Sequence, residues 1–310
     1  MNESISYLLR APAAMRACET VDDWWRTHQS LARSWPAPFD RAIMGGFSAD
    51  RVAWAFCAGY QAALRMLVPS LPMDALTALC ATEADGNRPR AIRTTITPGP
   101  SQGTLIVNGE KRWTTLGDRC EILLVVAREH DSPADRPRLR VARIASATPG
   151  VEIVAKPPAG FIPEVAHAQI RFEGVPIAAS TLLEGDGYER FLKPFRTIED
   201  IHVHAALLAY LVREARRLDW PTPWIERCLV VLHALGAIAV DDPLAPSTHV
   251  ALAGAIDAGR ALTDEATSHW AAANDAAAFD RWQRDRPVLA VAGTARAQRR
   301  ARAWEQLKAS

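Results

Sequence analysis

The feature that most restricts the fold of this chain is a change of texture along it. From about Leu79 to Leu183 the sequence runs in short β-branched stretches broken by Gly, Pro and Asn, whereas both flanks are rich in Ala, Leu and Arg. Brief runs bounded by turn residues are the signature of strands, and apolar residues recurring at three and four are the signature of helices. That order predicts an α+β protein with an N-terminal helical segment over 1–78, a central antiparallel β-domain over 79–184 and a C-terminal four-helix bundle over 185–310.

In the first segment the spacing predicts helices from Val21 to Trp35 and from Ser48 to Leu67, with Ser48 as the N-cap of the second. Val52, Ala55, Phe56, Ala63, Leu64 and Leu67 form its apolar face, Arg51 and Arg65 reach water, and the tryptophans pack the core. Strands are expected over Ala91–Thr97, Thr104–Val107, Lys111–Thr115, Ile122–Arg128, Leu139–Ile144, Val151–Val154 and Ala168–Phe172. Asn108-Gly109, between two alternating stretches, predicts a two-residue hairpin turn, because both residues accept the positive φ such a turn needs. After Gly187, helices are expected over 187–217, 222–240, 247–273 and 285–308, separated by prolines.

The balance of 36 Lys and Arg against 35 Asp and Glu over 310 residues excludes a global field that would hold nucleic acid or an anionic membrane surface. No apolar run approaches the roughly 20 residues of a membrane span. The N-terminus has no basic segment before an apolar stretch, so a cytoplasmic protein is expected. The five cysteines are scattered without a C-x-x-C pair and are expected to be reduced, buried thiols. His202 and His204 are two apart on a helix and do not share a face, so no metal site is expected. Gly99 to Gly103 fits a nucleophile-elbow string, but a strand rather than a helix follows it, so the segment reads as a loop.

Within the expected strand ending at Thr115, Trp113 and Thr115 lie two residues apart and share a face, which places a flat π surface beside a hydroxyl. A planar redox ring needs such a wall and a few hydrogen bonds at its polar edge.

Several strings in this region resemble the middle domain of the acyl-CoA dehydrogenases. "ATEADG" (Ala81 to Gly86) is similar to that family's Thr-Glu-Pro-Gly loop, and "VNGEKRWTTLG" (Val107 to Gly117) to its Gly-x-Lys-x-Trp-x-Thr-x-Gly strand. "TPGV" at Thr148 to Val151 and "FEGVPI" at Phe172 to Ile177 resemble two later landmarks. The resemblance implies FAD as cofactor, with Trp113 against the ring, Thr115 near N5, and Thr82 of the Thr82-Glu83 loop at the pyrimidine edge. Where the family continues with small residues and a hydroxyl near phosphate, this chain has Ala84, Asp85, Asn87 and Arg88, so Arg88 or Arg90 is the expected electrostatic replacement. The family's Arg-x-x-Phe-Gly and late Glu-Gly-Thr strings are absent; "LDWPTPW" follows Arg217.

The resemblance further implies an acyl-CoA or similar thioester substrate, α-proton abstraction with β-hydride transfer to FAD, and a homodimer or tetramer. "FRTIEDIHVHAALLAYL" (Phe195 to Leu211) is similar to the helix on which some branches carry their base, which makes Glu199 or Asp200 the candidate. The same acids are also what a first helical turn favours. Arg296, Arg299, Arg300 and Arg302 read either as a solvated face or as grips for nucleotide phosphate. Two other functions share the motifs: a non-catalytic binding or assembly partner, and a flavin-dependent monooxygenase that needs no carboxylate base.

Overall fold

The computed structural model describes residues 2–133, 135–273 and 275–309. The chain divides into two compact units. One comprises Met1–Pro69, Gly160–Ile162 and Arg196–Ser310, the other Ser70–Ala159 and Pro163–Phe195.

The first unit is helical. Its N-terminal part holds α1 (Asn2–Arg10), α2 (Val21–Ser34), α3 (Pro38–Ser48) and α4 (Val52–Leu67). Helix α2 is capped by Thr20, whose side chain accepts from the N–H of Asp23 at 3.1 Å. The Ser48 cap does not form: Ser48 is the last residue of α3, and α4 starts after Arg51 without a side-chain cap. The stretch before it, Pro38 to Phe47, is itself helical, so the expected boundary at Ser48 falls inside a run of two helices. Trp24 and Trp54 stack in the core, ring centroids 5.7 Å apart. Arg65 is buried rather than solvated, bonded to Gln61 and 5.8 Å over the ring of Trp25. Guanidinium tolerates such burial because aromatic faces and carbonyl oxygens substitute for water.

The remaining helices are α5 (Lys193–Arg217), α6 (Thr222–Ile238), α7 (Pro246–Ala272), α8 (Ala276–Asp285) and α9 (Gly293–Ala309). The expected helix over 285–308 is divided. Helix α8, capped by Asp275, ends where the expected one begins; Arg286–Ala290 forms a 3-10 turn around Pro287, and Ala292 takes φ 65° before α9. Proline has no N–H to continue the ladder, so the break falls where Pro287 stands. Inside this unit α5 lies at backbone distance from its neighbours. A Cβ on Gly46 would fall 2.0 Å from the carbonyl oxygen of Ala206, and one on Gly59 2.6 Å from Cα of Val203.

The second unit is a seven-stranded sheet in the order β1-β4-β2-β3-β7-β6, with β5 also on β4. The strands are β1 (Thr77–Cys80), β2 (Thr95–Pro98), β3 (Thr104–Thr115), β4 (Ile122–Glu129), β5 (Leu139–Ala145), β6 (Val151–Ala155) and β7 (His167–Ala178). Most pairings are antiparallel as expected, but β4 runs parallel to both β1 and β2. Strand β4 sits inside the sheet, and its consecutive buried residues Leu123 to Ala127 fit a strand covered on both faces.

Asn108-Gly109 does not make the expected turn. Thr104–Thr115 is one strand along β7, and the pair forms a bulge where the register slips between Val107 and Gly109. Gly109 has φ 144°, and a Cβ there would meet Thr94 Oγ1 at 2.5 Å, while Asn108 Oδ1 accepts from the N–H of Gly174 at 2.7 Å. The residues that permit a primed turn also permit a bulge, so the local signal was ambiguous. The hairpin instead joins β2 to β3 through Gly99–Gly103.

Candidate functional site

A second bulge shapes the end of β3. Lys111 pairs with Ile170 and Thr114 with Ala168, so the two residues between them oppose one partner residue. Lys111 and Thr114 both point inward although three apart, and Arg112 and Trp113 are both exposed. Trp113 takes φ 59° and is 59% exposed. A left-handed conformation costs a bulky L-residue about 1–2 kcal/mol, and such conformations cluster at functional sites.

Around this indole stand Thr115, half-buried, and His167, its register partner, whose ring lies edge-on to Trp113 at 6.2 Å. The Lys156 ammonium sits 3.8 Å from the centre of the Trp113 ring. Burial first, and then the Lys156 charge, lowers the pKa of His167, which keeps the imidazole neutral at neutral pH. The Thr82 carbonyl accepts from the N–H of Arg112 at 2.7 Å, tying the loop after β1 to the bulge. The hydroxyls of Thr82 and Thr115 have no hydrogen-bond partner among the described residues.

Glu83 organises that loop from inside. Its Oε1 accepts from Lys111 Nζ at 2.6 Å and from Thr94 at 2.8 and 3.1 Å, while Oε2 accepts from the N–H of Arg93 at 2.6 Å. Burial raises the carboxyl pKa, but the Lys111 charge and these hydrogen bonds outweigh it and hold it below its ordinary value. With its oxygens thus engaged, Glu83 shapes the loop rather than presenting its carboxylate outward. The turn it closes, with Glu83 and Gly86 exchanging backbone hydrogen bonds, leaves Ala84, Asp85 and Arg88 exposed. Arg90 donates to the carbonyl of Asp135 at 2.9 Å. Lys111 and Lys156 escape sequence reasoning, although a lysine at an inward strand position signals a buried carboxylate partner.

Glu199 and Asp200 belong to the helical unit. They are adjacent on α5 and have different surroundings. Asp200 is engaged by Arg296 at 2.8 Å and Arg299 at 2.5 Å from α9. Glu199 is half-buried and has no hydrogen-bond partner among the described residues; burial, then the neighbouring Asp200, pushes its pKa up to about 8. Arg300 pairs with Asp257. The phosphate reading is therefore unsupported for Arg296, Arg299 and Arg300, each of which has a carboxylate partner. His202 Nδ1 lies 2.7 Å from the carbonyl oxygen of Ile198, and no group of three or more His, Cys, Asp or Glu suited to a metal ion occurs among the described residues.

No helix among the described residues is long and apolar enough to cross a membrane. All five cysteines are buried thiols outside any disulfide.

The family model for the acyl-CoA dehydrogenase middle domain matches residues 78–175. No curated protein matches the sequence. Among solved structures, the prolyl acyl carrier protein oxidase AnaB superposes with a TM-score of 0.70 at 13% identity, covering 99% of this chain and 97% of that one. Butyryl-CoA dehydrogenase from Megasphaera elsdenii gives 0.66 at 14% identity, covering 93% and 99%. FMN-bound TdsC from Paenibacillus sp. A11-2 gives 0.65 at 16% identity, covering 92% and 89%. The bulged strand with its outward indole thus lies in the segment that matches the acyl-CoA dehydrogenase middle-domain model, and the chain as a whole has the acyl-CoA dehydrogenase-like fold.

Proposed function

We propose that this protein is a flavin-dependent oxidoreductase that removes the α proton and the β hydride of an acyl thioester, with FAD as the cofactor. The observation that carries the reading is Trp113, held outward in a strained conformation beside the unpartnered hydroxyls of Thr115 and Thr82. An indole with this exposure offers a wall for an isoalloxazine ring, and open hydroxyls offer the polar contacts that fix its edge. Lys156 covers part of the indole, but a cation–π contact at an exposed site is worth about 0.5–1 kcal/mol. Micromolar binding supplies about 8 kcal/mol, so a flavin displaces it readily. The phosphate end has no glycine-rich cradle; Arg88 is exposed there, and Asp85 lies 4.0 Å from the Arg93 guanidinium.

When bound, the flavin supplies the hydride acceptor. The chain supplies the base, and Glu199 fits that role better than Asp200, whose charge is neutralised by two guanidiniums. A carboxyl with a pKa of about 8 is poised near neutral pH, the condition under which a general base is both available and strong enough. FMN in TdsC and the oxidase name of AnaB belong to those proteins. The oxidase name of AnaB, a protein with this fold, makes oxygen use the alternative outcome. Purified protein should show flavin absorbance or take up added FAD, and anaerobic butyryl-CoA should bleach it. Colourless protein that refuses FAD would remove the enzymatic reading in favour of a binding or assembly partner. Homodimeric or tetrameric assembly is part of the proposal and is tested by light scattering.

A further inference from the structure

We propose that the helical unit contains a second small-molecule site, a pocket between α5, α7 and the turn after α8 that takes a monocarboxylate with a medium-length apolar tail. A cavity of about 330 Å³ opens there. That volume lies at the lower end of small-molecule sites, about 300–1,000 Å³, and is far larger than the voids close-packed interiors retain.

The site lies away from Glu199. Successive residues of an α-helix are about 100° apart. Val203 and Ala206, on one side of α5, abut Gly59 and Gly46, whereas His204, Leu207 and Leu208 line the cavity. Ile256 and Trp282 complete an apolar body. The charged groups are at the mouth: Arg260, Asp264 and Arg286 are exposed and line the same cavity. Arg260 and Asp264 stand one helical turn apart without forming an ion pair, and Arg286 donates to Thr267.

His204 does not add charge. Its Nδ1 lies 2.7 Å from the carbonyl oxygen of Asp200, which can only accept, so the proton is on Nδ1. Burial lowers its pKa, and the ring is neutral at neutral pH. Two guanidiniums and one carboxylate leave the mouth with one net positive charge over an apolar interior. Guanidinium recognises carboxylate through paired N–H donors, and an alkyl tail of medium length suits the walls. A single negative charge on an aliphatic body is therefore the ligand chemistry that the lining selects.

Sodium octanoate and 1-octanol are the probes, with binding followed by calorimetry on the full chain. Octanoate should bind one-to-one and octanol at least about tenfold more weakly, a difference of about 1.4 kcal/mol. Arg260→Gln should weaken octanoate alone. Gly259 lines the cavity, and a Cβ there meets only Leu208 at 3.8 Å and Val231 at 3.9 Å, ordinary contact distances. Gly259→Leu should fill the space and abolish binding while the melting temperature stays at or above that of the parent; Gly259→Ala should give a graded loss. No octanoate binding by the parent, unchanged binding in a folded Gly259→Leu protein, or equal affinity for octanol would overturn the proposal.

Discussion

The ammonium of Lys111 lies 2.6 Å from Oε1 of Glu83, 28 residues earlier in the chain, and both side chains are buried. Removing one charge leaves the other in a medium that cannot solvate it, a loss of about 3–5 kcal/mol. Lys111→Met should therefore lower the denaturation midpoint strongly. Adding Glu83→Gln should recover part of the loss, because the amide oxygen still accepts from the N–H groups of Arg93 and Thr94. Urea unfolding of the two single variants and the double variant measures this coupling.

At Trp113 stability and cofactor binding should move in opposite directions. Glycine accepts φ 59° without the steric penalty of a side chain, so Trp113→Gly should leave stability unchanged or raise it by up to about 1 kcal/mol. The same change removes the indole wall. Flavin fluorescence titration against thermal melting should show weaker binding in a protein that is no less stable.

The carboxyl of Glu199 gives two linked pH effects. Its folded pKa of about 8 exceeds the ordinary 4.5, so the folded state binds more protons between these values and stability falls as pH rises through that window. Glu199→Gln removes the effect: variant and parent should melt alike below about pH 4.5, and the variant should be the more stable above pH 8. As a base, the group works only when deprotonated. The rate of flavin reduction by acyl thioester should climb with pH toward a plateau above about 8 in the parent and be slow and flat in the variant.

The bulge at Gly109 should tolerate no side chain. A methyl there would sit 2.6 Å from Cα of Thr94, a backbone atom, in addition to the strain of φ 144°. Gly109→Ala should cost about 1–3 kcal/mol. Since Thr94 bonds Glu83, hydrogen exchange should show faster opening of the loop around Thr82 as well as of the bulge itself.

Helix, sheet and helix were legible because the texture of the chain follows the period of each element, and the Trp113 and Thr115 pair stood out because strand alternation fixes their side. Boundaries set by tertiary packing were less legible. Asn108-Gly109 permits a turn and a bulge equally, and the choice is made by Gly174 and Thr94 across the sheet. Residues 285–308 have helical composition, yet Pro287 interrupts them, and the cap that starts the preceding helix is the single residue Asp275. On α5 the sequence could not separate Glu199 from Asp200. The distinction depends on Arg296 and Arg299, roughly a hundred residues later. Lys156 was missed because a cation three strands away in sequence carries no local mark of stacking on an indole.

Gly46 and Gly59 let the backbone of α5 approach α3 and α4 so closely that a Cβ on either glycine would overlap it. Val203, opposite Gly59, is one turn along from Glu199. Two absent methyl groups consequently govern where the acid of α5 comes to rest, and a single added carbon at either notch would wedge the helix outward and carry that acid with it.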